Sequence, residues 1–121
     1  MNQNQSFASD DAIERQIVAK GKTAPRVKPE DIEDNIVAEY YFTAAEAVGR
    51  VGAPEMQALE LLTICVLVLR NGFTVMGESA CASPENFDAE IGRNIARDDA
   101  VDKMWPLMGY ALKERLAGVT S

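Results

Sequence analysis

The hydrophobic pattern of the chain is densest between Leu61 and Cys81, LLTICVLVLR-NG-FTVMGESAC, and this stretch organises the rest. Two apolar, β-branched runs flank Asn71-Gly72. That pair predicts a β-hairpin closed by a two-residue type I′ turn, because Asn and Gly tolerate the positive φ that both central positions need. With Asn71 and Gly72 as the loop, Arg70 faces Phe73, Leu69 faces Thr74, Val68 faces Val75, Leu67 faces Met76 and Val66 faces Gly77. Side chains alternate along a strand. One face of the hairpin then carries Leu62, Ile64, Val66, Val68, Phe73 and Val75; the other carries Cys65, Leu67, Leu69, Thr74, Met76 and Glu78. The first strand is apolar on both faces, as central, covered strands are. A further strand beside 61–69, or a partner chain over the second face, is expected, since a lone two-stranded hairpin is not stable.

Upstream, residues 1–8 are polar and expected to be disordered. Ser9, Asp10 and Asp11 cap a short helix with Ile13 and Ile17 on its apolar side, and Gly21 stops it. A linker with Pro25 leads to Pro29, which suits the first position of a second short helix; Glu30 and Asp31 sit at its positive end, and Ile32 and Ile36 face the core. Two patterns compete over 38–49. Tyr40, Tyr41, Phe42 and Thr43 favour a strand, whereas Ile36, Tyr40, Ala44 and Val48 keep a helical beat. The hairpin's need for a third strand decides for β over 39–44. Gly49–Pro54 reads as a loop and Glu55–Glu60 as a helical turn.

Downstream, Ser83-Pro84 reads as a helix start. Phe87, Ile91, Ile95, Val101, Trp105, Met108, Leu112 and Leu116 form one stripe at helical spacing. Asp98 and Asp102 interrupt it, Pro106 predicts a kink or restart near Trp105, and Gly118 ends it. The expected fold is α+β: one domain over 9–118, with a small antiparallel sheet built on the hairpin at about 61–80, packed by a long kinked C-terminal helix and by short N-terminal helices. A sheet apolar on both faces in so short a chain points to a homodimer, completed by pairing edges or stacking faces.

Composition narrows the function classes. The chain has 121 residues and a net charge of −7, with 19 Asp plus Glu against 12 Lys plus Arg. That balance argues against direct nucleic-acid binding, whose affinity comes largely from neutralising phosphates. The amino terminus lacks the basic start and apolar core of a signal peptide, and the run at 61–69 is too short to span a bilayer, so a cytosolic protein is expected. The two cysteines, placed on opposite faces by the register above, are expected to be unbonded. With no histidine and no cysteine pair at ligand spacing, no metal or other cofactor is expected. GxGxxG and Walker motifs are absent.

Four groups of residues invite a functional reading. Arg93 and Arg97 are four apart on one helix and Arg70 flanks the hairpin turn; together they can grip a phosphate or carboxylate, or else form salt bridges to Glu90, Asp88 or nearby aspartates. Glu78, Asp88, Glu90, Asp98, Asp99 and Asp102 include carboxylate pairs at helical spacing, but no defined cation loop. Gly77–Cys81 holds a serine and a cysteine with no base to activate them, and reads as a strand end with small residues beneath the helix. Met104, Trp105, Met108, Tyr110 and Leu112 can form an interaction face, but such a stripe at helical spacing reads first as core; Leu107 lies off the stripe and is open to a partner. No catalytic residue is assigned.

The segments 69–81 (LRNGFTVMGESAC), 86–93 (NFDAEIGR), 95–97 (IAR) and 105–110 (WPLMGY) together resemble a family of small tailed-phage and prophage proteins named after members from phages N-four and Sf-six. The likeness covers about the last half of the chain, in order and spacing. It implies a phage-encoded accessory protein working in the cytoplasm of a bacterial host, and carries no activity or catalytic residues with it. With the catalytic motifs missing, the reading is a non-enzymatic protein that binds and modulates a host or phage protein, such as a component of host defence. The second reading is a binder of a small nucleotide-like ligand through Arg70, Arg93 and Arg97.

Overall fold

The structure is a computed structural model describing residues 5–118. In chain order it runs α1 (Gln5–Ala19), α2 (Pro29–Asp34), β1 (Ile36–Thr43), α3 (Ala44–Gly49), α4 (Gln57–Glu60), β2 (Leu62–Leu69), β3 (Thr74–Ala80), a 3₁₀ turn (Pro84–Asn86) and α5 (Ala89–Leu116). The fold is α+β: an antiparallel sheet in the order β1-β2-β3 lies against α5. α1 starts at Gln5, ahead of the expected Ser9 cap; residues 1–4 of the stretch expected to be disordered lie outside the described residues.

β2 is the centre of the sheet, as its two apolar faces predict, and the expected third strand is β1. Its strand character prevails over the helical beat because Tyr40, Tyr41 and Phe42 pair across to Val66, Cys65 and Ile64. A bulge at Val37 interrupts the β1 register between Ile36 and Ala38. Thr43 then caps α3 through a reciprocal capping box with Glu46, a helical turn in the stretch where strand had been expected to give way to a loop.

The hairpin forms, but its turn is one residue longer than expected. The Gly72 N–H donates to the Leu69 carbonyl and the Leu69 N–H to the Phe73 carbonyl, both at 2.9 Å. The loop is therefore Arg70-Asn71-Gly72, a type I turn followed by a glycine at φ +89°,. Asn71 has negative φ, and its Oδ1 accepts from the Phe73 N–H at 2.9 Å; this Asx turn supports the type I path and removes the I′ alternative. One extra loop residue shifts the register by one, so Leu67 faces Val75, Val66 faces Met76 and Cys65 faces Gly77. Such a slip moves a whole strand's side chains to the other face. Val75 and Gly77 are buried with Cys65, Leu67 and Leu69, while Thr74, Met76 and Glu78 join Ile64, Val66 and Val68. Both cysteines are free. The reason differs from the expected one, because Cys81 follows the same side as Cys65 but lies four pairs further along, about 13 Å at the strand rise.

α5 also departs from its predicted stripe. It starts at Ala89 with Asp88 as its cap, the side chain accepting from the Ile91 N–H at 3.0 Å. Phe87 therefore precedes the helix, and Ser83-Pro84 opens the 3₁₀ turn instead. Its buried line is Gly92, Ala96, Asp98, Ala100, Val101 and Met104, whereas Ile91 is 53% exposed. The helix backbone approaches the sheet closely at Gly77, where only small residues fit. α5 runs on through Pro106 without restarting. Val101 and Met104 before the proline and Met108 after it all pack on the same core, and that burial outweighs the roughly 3 kcal/mol a mid-helix proline costs.

Candidate interaction surface

The sheet has two unlike faces. The one against α5 holds the core: Cys65 and Leu67 at 0% exposure, Leu69 and Val75, with Ala96, Ala100, Val101 and Met104 from the helix. On the opposite face β2 presents Leu62, Ile64, Val66 and Val68, all half-buried. β1 adds Ala38, Tyr40 and Phe42 beside them, and β3 adds Thr74, Met76, Glu78 and Ala80. Tyr40 is 59% and Met76 56% exposed. α2, α3 and α4, which contact this sheet besides α5, have six, six and four residues, too short to run along it. The result is an aliphatic and aromatic patch with one carboxylate, Glu78, at its rim. The register correction is what places Met76 there.

The three arginines do not converge. Arg97 lies at the α5 side of β1, with Nη2 2.7 Å from Glu33 Oε1 and 3.1 Å from Glu39 Oε2. The Tyr41 hydroxyl donates to Glu39 Oε1 at 2.7 Å. Burial disfavours the Arg97 charge, but the bonds to Glu33 and Glu39 outweigh it and hold the guanidinium above its usual value. The Arg97 bond in turn keeps Glu39 below the usual carboxylate range, against burial and with help from Tyr41. Burial, then the bond to Glu39, pushes the Tyr41 hydroxyl well up. The expected salt bridges to Asp88 or Glu90 are thus replaced by links to α2 and β1, which sequence spacing could not reveal. This network joins three elements and leaves the Arg97 side chain 18% exposed.

Arg93 lies one turn away, lining a cleft of about 130 Å³ with Tyr41, Phe42, Thr63 and Phe87. Arg70 is at the far end of β2. Its Nε donates to the Asp34 carbonyl at 2.7 Å, and it borders a separate groove of about 400 Å³ with Arg26, Asn35 and Arg115. Thr63 and Leu69 are six residues apart on β2, about 20 Å at the strand rise, which sets the scale of the separation.

The other expected chemistry is equally dispersed. Asp98 is buried on α5, and burial, with the neighbouring Asp102 and Asp10 carboxylates, raises its pKa. Asp99 serves β3 instead, accepting from the Glu78 N–H. Among the described residues no group of three or more His, Cys, Asp or Glu side chains is placed to hold a metal ion. Burial also pushes the Cys65 thiol up, which opposes thiolate chemistry. Cys81 Sγ donates to the Ser83 carbonyl at 3.1 Å.

Residues 27–116 match the profile of the phage protein family of N4 Gp49 and phage Sf6 gene 66. The chain belongs to this phage protein family. The matched stretch takes in α2, the whole sheet and α5, and leaves α1 outside it. What the N4 Gp49/Sf6 gene 66 family match contains is therefore the sheet face turned away from α5 and the Arg97 network together. No curated protein and no solved structure matches the chain. No helix among the described residues is long and apolar enough to cross a membrane.

Proposed function

We propose that this phage protein is a non-enzymatic accessory factor of the host cytoplasm that binds and modulates a host or phage protein through the sheet face turned away from α5. A component of host defence is the target class that best suits a phage factor of this kind. One observation carries the reading: Ile64, Val66 and Val68 are flanked by exposed Tyr40 and Met76 on a face that α5 leaves open. Contiguous apolar surface of this kind marks interaction sites in soluble proteins, and its aromatic and methionine content is typical of them.

The test is capture from infected-host lysate with wild-type protein and with Met76→Lys. The same partner should be retained over controls by the wild type and lost by the variant, which keeps its fold because Met76 is exposed. A partner held equally by both proteins, or none held reproducibly, refutes the reading. The nucleotide-binder alternative has less support. The Arg93 cleft is small beside the ~300–1,000 Å³ of drug-sized ligand sites, and Arg70 serves a different groove. A nucleotide that raises the melting temperature in the wild type but not in Arg93→Ala would reverse that ranking.

A further inference from the structure

The two edges of the sheet are treated differently. Alternate residues of an edge strand turn their N–H and C=O groups away from the sheet. In β3 these are Thr74, Met76, Glu78 and Ala80, and α5 side chains take one group on each of the middle two. Lys103 Nζ donates to the Met76 carbonyl at 2.7 Å, and Asp99 accepts from the Glu78 N–H at 3.0 Å. Side-chain cover of this kind blocks strand addition.

The β1 edge follows by parity. Odd-numbered β2 residues bond to β3, as the Leu69 N–H to Phe73 shows. Even-numbered ones bond to β1, through Ala38, Tyr40 and Phe42. The outward groups of β1 then belong to Glu39, Tyr41 and Thr43. Glu46 takes the Thr43 N–H at 2.9 Å. No hydrogen bond from another described side chain reaches those of Glu39 and Tyr41. We propose that this edge pairs with β1 of a second copy, antiparallel about a two-fold axis at Tyr40, joining two three-stranded sheets into one of six strands.

The register is set by the same parity. Hydrogen-bonded pairs must join odd residues, and an axis at Tyr40 pairs Glu39 of each copy with Tyr41 of the other. An axis at Glu39 sets two carboxylates directly opposite each other, which is destabilising. An axis at Tyr41 draws on the Thr43 N–H already given to Glu46. With the axis at Tyr40, the two Tyr40 rings meet across the seam and Ala38 meets Phe42. Copies that each carry −7 can meet here: the acidic side chain in the strip, Glu39, is already paired to Arg97. The α5-free faces of the two copies then form one continuous surface, although the pairing itself does not depend on any partner binding there.

Sedimentation across about 1–100 µM tests the pairing. The wild type should approach twice the chain mass of 13.2 kDa. Tyr40→Lys should stay at one chain while folded by circular dichroism, and Met76→Lys, on the same face but the opposite strand, should dimerise like the wild type. In a Cys81→Ser background, Tyr40→Cys should cross-link between chains under mild oxidation. Directly opposed non-hydrogen-bonded residues lie ~4.5 Å apart at Cα, within disulfide reach. A wild type that stays at one chain throughout overturns the proposal. So does a dimer lost in Met76→Lys and kept in Tyr40→Lys, or one in which Tyr40→Cys does not cross-link.

Discussion

Gly77 shows how a single residue sets the distance between the layers. Its φ is not positive, so backbone freedom is not what it supplies. A Cβ there would stand 2.1 Å from the Ala96 carbonyl oxygen and 2.4 Å from the Ala100 nitrogen. Both are helix backbone and neither can swing aside, so α5 would have to lift off β3. Gly77→Ala is expected to cost about 3 kcal/mol, the upper end for overpacking, read as a lower urea midpoint. Gly109 is the internal contrast. It lies within α5, exposed, with nothing within 4 Å of a Cβ. Gly109→Ala should therefore stabilise by about 0.5–1 kcal/mol through helix propensity alone. Equal effects from the two substitutions would mean that the close approach at Gly77 is absent.

Among the elements, α1 is the loosest addition to the body. It lies outside the family match, and among the described residues two side-chain links tie it down, Glu14 to Arg26 and Asp10 to the Trp105 indole N–H at 3.0 Å. A hollow of about 220 Å³ remains beneath it, lined by Ile13, Ile17, Val27, Pro29 and Trp105 among others. Removal of residues 1–21 should leave a cooperative unfolding transition, since β1–α5 keep the core. It should also red-shift the emission of Trp105, which is the chain's one tryptophan; loss of cooperativity would show that α1 is integral to the core. The strength of each element's signal also explains what could be read from sequence. β2 was legible because both of its faces are apolar, and β1 followed from β2's need for a neighbour. The β3 register was not legible: Asn-Gly serves a two-residue I′ turn and the end of a three-residue turn equally, and the two are separated by the negative φ of Asn71 and the bonds that close the loop at Leu69 and Phe73. The α5 stripe is legible in its middle, where Val101, Trp105 and Met108 pack in or against the core, and not at its start, where Ile91 is exposed and close contact with the sheet is made by the small residues Gly92, Ala96 and Ala100. The arginine grouping failed for a third reason, that Arg97's partners come from Glu33 and Glu39, about sixty residues away in sequence.

For the molecule as a whole, pH dependence follows from carboxylates shifted in opposite directions. Asp98 and Asp10 are raised above the ordinary 3.8, chiefly by burial, with Asp102 near both. In this window the folded state binds more protons than the unfolded chain, so stability falls as pH rises through the raised values. Glu39 is held below the ordinary 4.5 by Arg97. Its contribution is complete above 4.5 and is lost as pH falls through the lowered folded value. The melting temperature should accordingly rise as pH is lowered from neutrality, peak on the acid side, and drop once Glu39 is protonated. Relief of general repulsion in a chain of net charge −7 gives a rise of the same sign, so the slope alone does not decide. Two single-charge removals do. Asp98→Asn should raise the neutral-pH melting temperature and flatten the acid-side rise, because it removes a buried charge. Glu55→Gln, at an exposed loop position, removes the same charge from the total and should do little. If both variants shift the curve alike, the dependence comes from net charge and burial of Asp98 plays no part; a melting temperature that falls steadily from neutrality toward the acid side excludes both causes.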